Sequence, residues 1–240
     1  MERILKKNKK KKDKKLSKAK IVVGVPCWSH MYESMESSLH SLMSHPSVIG
    51  RVKSSGALVY EARNEIVRNA LTQFPDMTHL LFIDSDMTFS QECLTYLVEA
   101  KKHIISGVTN RRTPPFEPCY LADEKSDGQF LIDALKVPVK EQKPFEVDGV
   151  GMAFTLIDKK VLLRKHWNTD ELWFYPTKDK EGKPKGEDYS FCDEAKDMGY
   201  KVWVHPSCIV GHLTEYVISV RDWLQMRQGG EPVEQNERQD

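Results

Sequence analysis

Leu80-Leu81-Phe82-Ile83-Asp84-Ser85-Asp86 is the stretch of this 240-residue chain whose reading decides its fold. Four consecutive large apolar residues fit a strand buried on both faces, as in a parallel sheet. They stop at two carboxylates one residue apart. In open α/β sheets ligands collect at the carboxyl ends of the strands, so Asp84, Ser85 and Asp86 stand where a site belongs. Paired oxygen donors there suit a hard cation, Mn²⁺ or Mg²⁺, whose other positions go to phosphate oxygens and water. The same aspartates could instead form a turn or cap the next helix, since Asp is a good N-cap.

Outward from that strand the pattern alternates. Ile21-Val22-Val23-Gly24-Val25 predicts a first strand ended by Pro26, Glu33 to Met43 a helix, and Val48 to Lys53 an extended piece. Leu58 to Gln73 carries apolar residues at helical spacing, with Pro75 just beyond. Ser90 to Lys101 predicts a helix, His103 to Val108 a strand, and Thr113-Pro114-Pro115 a turn. This implies an α/β fold whose first 110 residues or so form a parallel, doubly wound half. Further on, Cys119 to Asp123, Phe130 to Leu135 and Val150 to Ile157 are expected as strands, Asp158 to Lys165 as a short helix, and Thr177 to Lys185 as a polar loop. Asp188 to Met198 predicts a helix stopped by Gly199, followed by a strand over Tyr200 to Val204.

With 40% apolar and 30% charged residues the chain can build one substantial core. No apolar run is long enough to span a bilayer, and the N-terminal lysine tract lacks the apolar segment of a secretory signal, so a cytoplasmic protein is expected. Cys27, Cys93, Cys119, Cys192 and Cys208 are scattered singly, which argues for reduced thiols over zinc or a disulfide framework. The net charge of +1 hides a division: residues 1–20 hold eleven Lys or Arg against Glu2 and Asp13, leaving 25 basic against 33 acidic residues elsewhere. The tail is expected to be disordered, and either a solvated extension or an attachment to nucleic acid or an anionic membrane surface.

The chain has neither a P-loop nor a dinucleotide fingerprint. Phosphate would instead be held by a metal on Asp86 with help from Arg63, Arg111 or Arg112. A second acidic pair, Glu187-Asp188, follows Gly186 at an expected helix start, where the helix dipole favours an ionised carboxylate and hence a general base. An ordinary acidic first turn has the same appearance. His205 and His212 compete for a place beside the aspartates, and an imidazole would favour manganese.

Taken in order, Val25-Pro26, Ala62-Arg63-Asn64, FIDSDMTF (82–89), Gly149-Val150-Gly151-Met152-Ala153, GEDYSFC (186–192) and Gly211-His212 resemble the GT-A nucleotide-sugar glycosyltransferases. The likeness is nearest to compact family-2-like members, including those of large viruses and phages, and covers roughly residues 20 to 213. It implies a GT-A fold: a Rossmann-like, mostly parallel central sheet with helices on both faces and a smaller mixed sheet on the acceptor side. It further implies a basic tail over 1–19, one catalytic domain over 20–228 and a disordered end over 229–240. Within that domain, 20–110 would bind nucleotide, 111–213 would carry acceptor and catalytic residues, and 214–228 would form a C-terminal helix.

The resemblance assigns residues as well. Asp86 would bind the metal, Asp84 the ribose or the metal shell, and His212 would be the remaining protein ligand. Pro26, Cys27 and Trp28 would line the nucleobase pocket, with Arg63 near base or diphosphate and Ser85 between the two acids. Gly149 to Met152, Gly151 among them, would border the sugar and acceptor cleft. Asp188, with Glu187 beside it, would be the base of an inverting transfer from a nucleoside-diphosphate sugar, UDP favoured, to a glycan, lipid-linked or protein acceptor; in a retaining transfer the two acids would instead position donor or acceptor. Host cytoplasm is the compartment implied if the source is viral. Two neighbouring readings are a glycosyltransferase acting on modified DNA bases and a nucleotidyltransferase. The latter would show a glycine-rich basic loop where this chain has Pro26-Cys27-Trp28.

Overall fold

The structure, a computed structural model, describes residues 19–27, 31–56, 58–113, 115–121, 129–165 and 172–215, with Val220, Leu224 and Arg227 as isolated helical positions. Trp28, Pro114, the tail over 1–18 and the end over 229–240 lie outside it, as does most of the expected helix over 214–228.

The apolar runs become strands because each is covered on both sides. The first five are β1 (Ile21–Pro26), β2 (Val48–Ser54), β3 (His79–Ile83), β4 (Met87–Thr88) and β5 (Ile104–Val108). Next come β6 (Tyr120–Leu121), β7 (Phe145–Val147), β8 (Gly149–Val150) and β9 (Phe154–Asp158). The last four are β10 (Thr177–Lys178), β11 (Pro184–Lys185), β12 (Val202–Ile209) and β13 (Gly211–His212). The helices are α1 (Glu33–Met43), α2 (Val59–Gln73), α3 (Glu92–Ala100), α4 (Gln129–Leu135), α5 (Lys159–Lys165) and α6 (Glu187–Asp197).

Among the described residues the central sheet has seven strands in the order β2-β1-β3-β9-β5-β12-β7. Five point one way; β9 and β7 run against their neighbours. Alternate residues of each strand feed opposite cores, as a period of two requires. Val22, Leu80 and Phe82 pack with Ile66 and Ala70 of α2, Leu162 of α5 and Phe191 of α6. Ile21, Val23, Leu81 and Ile83 pack with Leu39 and Leu42 of α1 and Leu94 and Leu97 of α3. The result is a helix–sheet–helix sandwich in which five strands deliver their carboxyl ends to one edge.

Several local expectations are corrected. Phe130 to Leu135 belongs to a helix, α4, not a strand, and of its apolar residues Leu131 is buried in the core while Ile132 and Leu135 are exposed. Of the strand expected over Cys119 to Asp123, Tyr120–Leu121 is strand and Cys119 is not, and residues 122–128 lie outside the described residues. The run expected from Val150 to Ile157 is broken at 151–153, where the chain crosses the carboxyl edge: the Gly151 N–H donates to the Cys119 carbonyl at 3.1 Å and the Asp84 N–H to the Ala153 carbonyl at 3.0 Å. The strand expected to stop at Val204 continues through Pro206 to Ile209, because the pairing of β12 with β5 is irregular between Val204 and Ile209 and asks nothing of the missing proline N–H. The polar loop over Thr177 to Lys185 closes as a short hairpin of β10 and β11. In place of one smaller mixed sheet, the described residues form three two-stranded antiparallel ones.

Asn64 holds the second half of the chain against the first. Its side-chain amide donates to the carbonyls of Tyr60 and Phe174 at 2.8 and 2.7 Å, and its oxygen accepts from the N–H groups of Trp173 and Phe174 at 2.8 and 3.0 Å. Phe174 in turn stacks on Phe191 and meets Phe82 edge-on. Buried groups left without partners cost about 1–3 kcal/mol each, so Asn64→Ala is expected to lower the unfolding free energy by roughly 3 kcal/mol. Urea unfolding followed by tryptophan fluorescence reads this directly.

Candidate active site

The Asp84-Ser85-Asp86 segment leaves β3 in a turn, with the Met87 N–H donating to the Asp84 carbonyl at 3.3 Å. It caps no helix: α3 starts at Glu92, and its N-cap position is Gln91. The two carboxylates part company at once.

Asp86 faces His212. Strand β4 pairs antiparallel with β13, setting Met87 opposite His212, and the Leu213 N–H donates to the Asp86 carbonyl at 2.7 Å. This brings His212 Nε2 to 3.2 Å from Asp86 Oδ2, while Nδ1 lies 2.7 Å from the carbonyl oxygen of Asn110. A carbonyl can only accept, so Nδ1 carries the proton. A neutral ring would then turn the lone pair of Nε2 toward a carboxylate, which is favourable only with a proton or a metal cation between them. Burial alone would lower the His212 pKa, but the hydrogen bond and charge of Asp86 outweigh it and raise it. Burial would likewise raise Asp86, yet His212 and Arg112 hold its carboxyl below the usual range. One carboxylate and one imidazole, the latter oriented by a backbone carbonyl, fit a divalent cation. No group of three or more His, Cys, Asp or Glu side chains converges to enclose a metal among the described residues, so the remaining positions would fall to phosphate oxygens and water.

Asp84 faces inward. Arg63 Nη2 reaches both of its carboxylate oxygens, at 3.0 and 3.2 Å, while Nη1 pairs with Glu187. The Arg63 side chain is only 5% exposed. Burial would lower its pKa, but the charges of Asp84, Glu187 and Asp188 outweigh that and raise it. With both oxygens committed to a guanidinium, Asp84 is worse placed than Asp86 to ligate a metal directly.

Glu187 and Asp188 open α6 behind Gly186, which offers no side-chain cap. A Cβ at Gly186 would lie 2.8 Å from Asp188 Oδ1, so the glycine lets that carboxylate fold back and accept the Tyr189 N–H at 2.8 Å. A Cβ at Gly151 would lie 3.6 Å from the other oxygen, Oδ2, which places the break between β8 and β9 directly against the acid. Among the described residues no cation lies within ion-pair distance of Asp188. The helix start was expected to favour its ionised form; instead burial, and then the charge of Glu187, push its carboxyl up, with the Tyr189 N–H and Arg63 offsetting only part.

Pro26 and buried Cys27 end β1 on the same edge of the sheet, where the Cys27 N–H donates to the Ser54 carbonyl at 2.9 Å. Ser85 lies half-buried in the turn. Arg112 reaches Asp86 Oδ2 with Nη1 at 3.2 Å, whereas Arg111 turns to Glu117. His205 lies in the middle of β12, stacked on Tyr96, and accepts the Ser207 N–H at Nδ1; His212 is the histidine that joins the acids. Sequence reasoning passed over the Asn110 carbonyl, whose one signal was its place just beyond β5. It also passed over the structural part played by Asn64, a polar residue on the apolar face of its helix.

The cluster sets four carboxylates (Asp84, Asp86, Glu187 and Asp188) against the guanidinium groups of Arg63 and Arg112. With His212 neutral this leaves an excess of two negative charges, the complement of one divalent cation.

No protein-family model and no curated protein matches the sequence. Among solved structures, A197 from STIV is similar with a TM-score of 0.51 at 14% identity, over 83% of this chain and 97% of that one. The structure of GalNAc-T7 with UDP, GalNAc and Mn²⁺ is similar with a TM-score of 0.52 at 9% identity, over 82% of this chain and 44% of that one, so this chain spans less than half its length. The chain has a Rossmann-like fold of the GT-A type.

Removing one partner of a buried charge group typically costs about 3–5 kcal/mol, so Arg63→Met should lower the unfolding free energy by roughly 3 kcal/mol. Arg63→Lys should recover less than half of this, because an ammonium cannot fork between Asp84 and Glu187. Equilibrium denaturation of the two variants side by side tests both values.

Proposed function

We propose that this protein is a metal-dependent glycosyltransferase that moves one sugar from a nucleoside-diphosphate sugar, UDP favoured, to an acceptor hydroxyl with inversion. The observation that carries the proposal is the meeting, at the carboxyl edge of the sheet, of a metal-suited pair, Asp86 and His212, with a carboxylate, Asp188, that has no ion-pair partner among the described residues. The likeness to GalNAc-T7, a structure with UDP and Mn²⁺, supports the donor class and the metal.

Asp86 and His212 would hold Mn²⁺ or Mg²⁺, which when bound neutralises the charge of the departing nucleoside diphosphate. Arg63 keeps Asp84 fixed for the ribose or the metal's outer shell, and holds Glu187 so that Asp188 is presented to the cleft beside Gly151. Asp188 takes the proton of the acceptor hydroxyl as its oxygen bonds to the anomeric carbon and the bond from that carbon to the phosphate oxygen breaks on the opposite face. A carboxylate whose pKa is raised is, in its ionised form, a stronger base for that transfer. Pro26, Cys27 and Trp28 would receive the base, with Ser85 between the acids. Residues 20–228 would act as one domain, on a glycan, lipid-linked or protein acceptor.

Metal-dependent release of UDP from a UDP-sugar, measured with and without acceptor, tests the assignment. Asp86→Ala should abolish the metal-dependent part. Asp188→Asn should retain UDP binding while transfer falls by about 10²–10⁴-fold, the usual worth of a general base. Full transfer by either variant would overturn its role.

The pH profile carries a sign of its own. Asp188 works only when ionised, so kcat/KM should fall as pH drops through a pKa above the ordinary Asp value of about 3.9. Glu187→Gln removes a charge that raises this pKa and frees Arg63 to stabilise the ionised form, so the acid limb should move to lower pH. An unmoved limb would place the base elsewhere.

A further inference from the structure

The loop after β5 carries a cation that this scheme leaves idle. Arg112 Nη1 lies 3.2 Å from Asp86 Oδ2, the oxygen that His212 Nε2 also approaches at 3.2 Å. Its side chain is 54% exposed, in contrast with the sealed Arg63. Hydrogen bonds brace the backbone around it. The Arg111 N–H donates to the Glu117 carbonyl and the Cys119 N–H to the Thr109 carbonyl, both at 2.8 Å, and the Phe116 N–H donates to the Thr113 carbonyl at 2.9 Å. The Asn110 carbonyl receives His212 Nδ1. With the backbone so tied, movement at this point falls to the long side chain of Arg112.

A divalent cation and a guanidinium on the same carboxylate oxygen repel each other. We infer that Arg112 is a cation placeholder at Asp86 which a divalent cation displaces, and that the displaced guanidinium then clamps the diphosphate of the donor. The inference rests on the proposed placing of the metal at Asp86. A guanidinium presents paired N–H donors that match phosphate oxygens, and an anion lying between the two cations removes their repulsion. Arg112 therefore opposes metal binding when the nucleotide is absent and supports nucleotide binding once the metal is present, which couples the two events.

The two effects have opposite signs and can be read without turnover. Full-length wild type, Arg112→Gln and Asp86→Asn are titrated with Mn²⁺ alone, following loss of the free-ion EPR signal; UDP is then titrated calorimetrically into the Mn²⁺-saturated wild type and Arg112→Gln. Arg112→Gln should bind Mn²⁺ at least about threefold tighter than wild type and UDP about tenfold weaker, while Asp86→Asn loses the Mn²⁺ site. Mn²⁺ affinity unchanged or reduced in Arg112→Gln overturns the placeholder, and unchanged UDP affinity overturns the clamp. If Mn²⁺ binding depends on Asp86 while Arg112→Gln alters neither affinity, the metal site stands and only this inference falls. If wild type and Asp86→Asn bind Mn²⁺ alike, both fall together.

Discussion

A single buried guanidinium organises this molecule. Arg63 stands on α2, grips Asp84 at the end of β3 and Glu187 at the start of α6, and so ties together segments more than a hundred residues apart. A cation taken out of water is costly unless its partners come with it, and the carboxylates around Arg63 would repel one another without it. The arrangement is therefore mutual: the acids keep Arg63 charged, and Arg63 lets them crowd one edge of a sheet. The next residue, Asn64, completes the task with uncharged bonds to Trp173 and Phe174. Two neighbours on one helix thus fasten both later parts of the chain that border the site.

This fastening divides the carboxylates by environment. Asp84 and Glu187 are satisfied by Arg63 and hold position. Asp86 turns instead to His212 and Arg112. Asp188 has no cationic partner within reach among the described residues and lies against a glycine, so burial acts on it with little relief. Four similar side chains sit in different electrostatic surroundings because their neighbours differ.

Much of this was legible beforehand. The strands β1, β3 and β5 and the helices α1, α2, α3, α5 and α6 follow from apolar periodicity, since each buries its apolar residues against a layer that the pattern itself implies. The misread segments are those whose surroundings decide. Residues 130–135 have apolar content that suits either period, and the chain at Gly151 breaks because its N–H is taken by Cys119 across the site. The strand through Pro206 was hidden because proline is tolerated only where a partner's pairing is irregular, which is a property of the partner.

The sequence by itself determined that two carboxylates would emerge at the end of a buried strand and that a second acidic pair would open a later helix, because hydrophobic pattern and helix punctuation are local. It also supplied both competing histidines without ranking them. Only the tertiary structure decided that His212 meets Asp86 through the pairing of β4 with β13, that Asp84 belongs to Arg63, and that burial raises the Asp188 carboxyl against the helix end. Those outcomes depend on distance and desolvation between residues far apart in the chain, quantities that exist only once the sheet has formed.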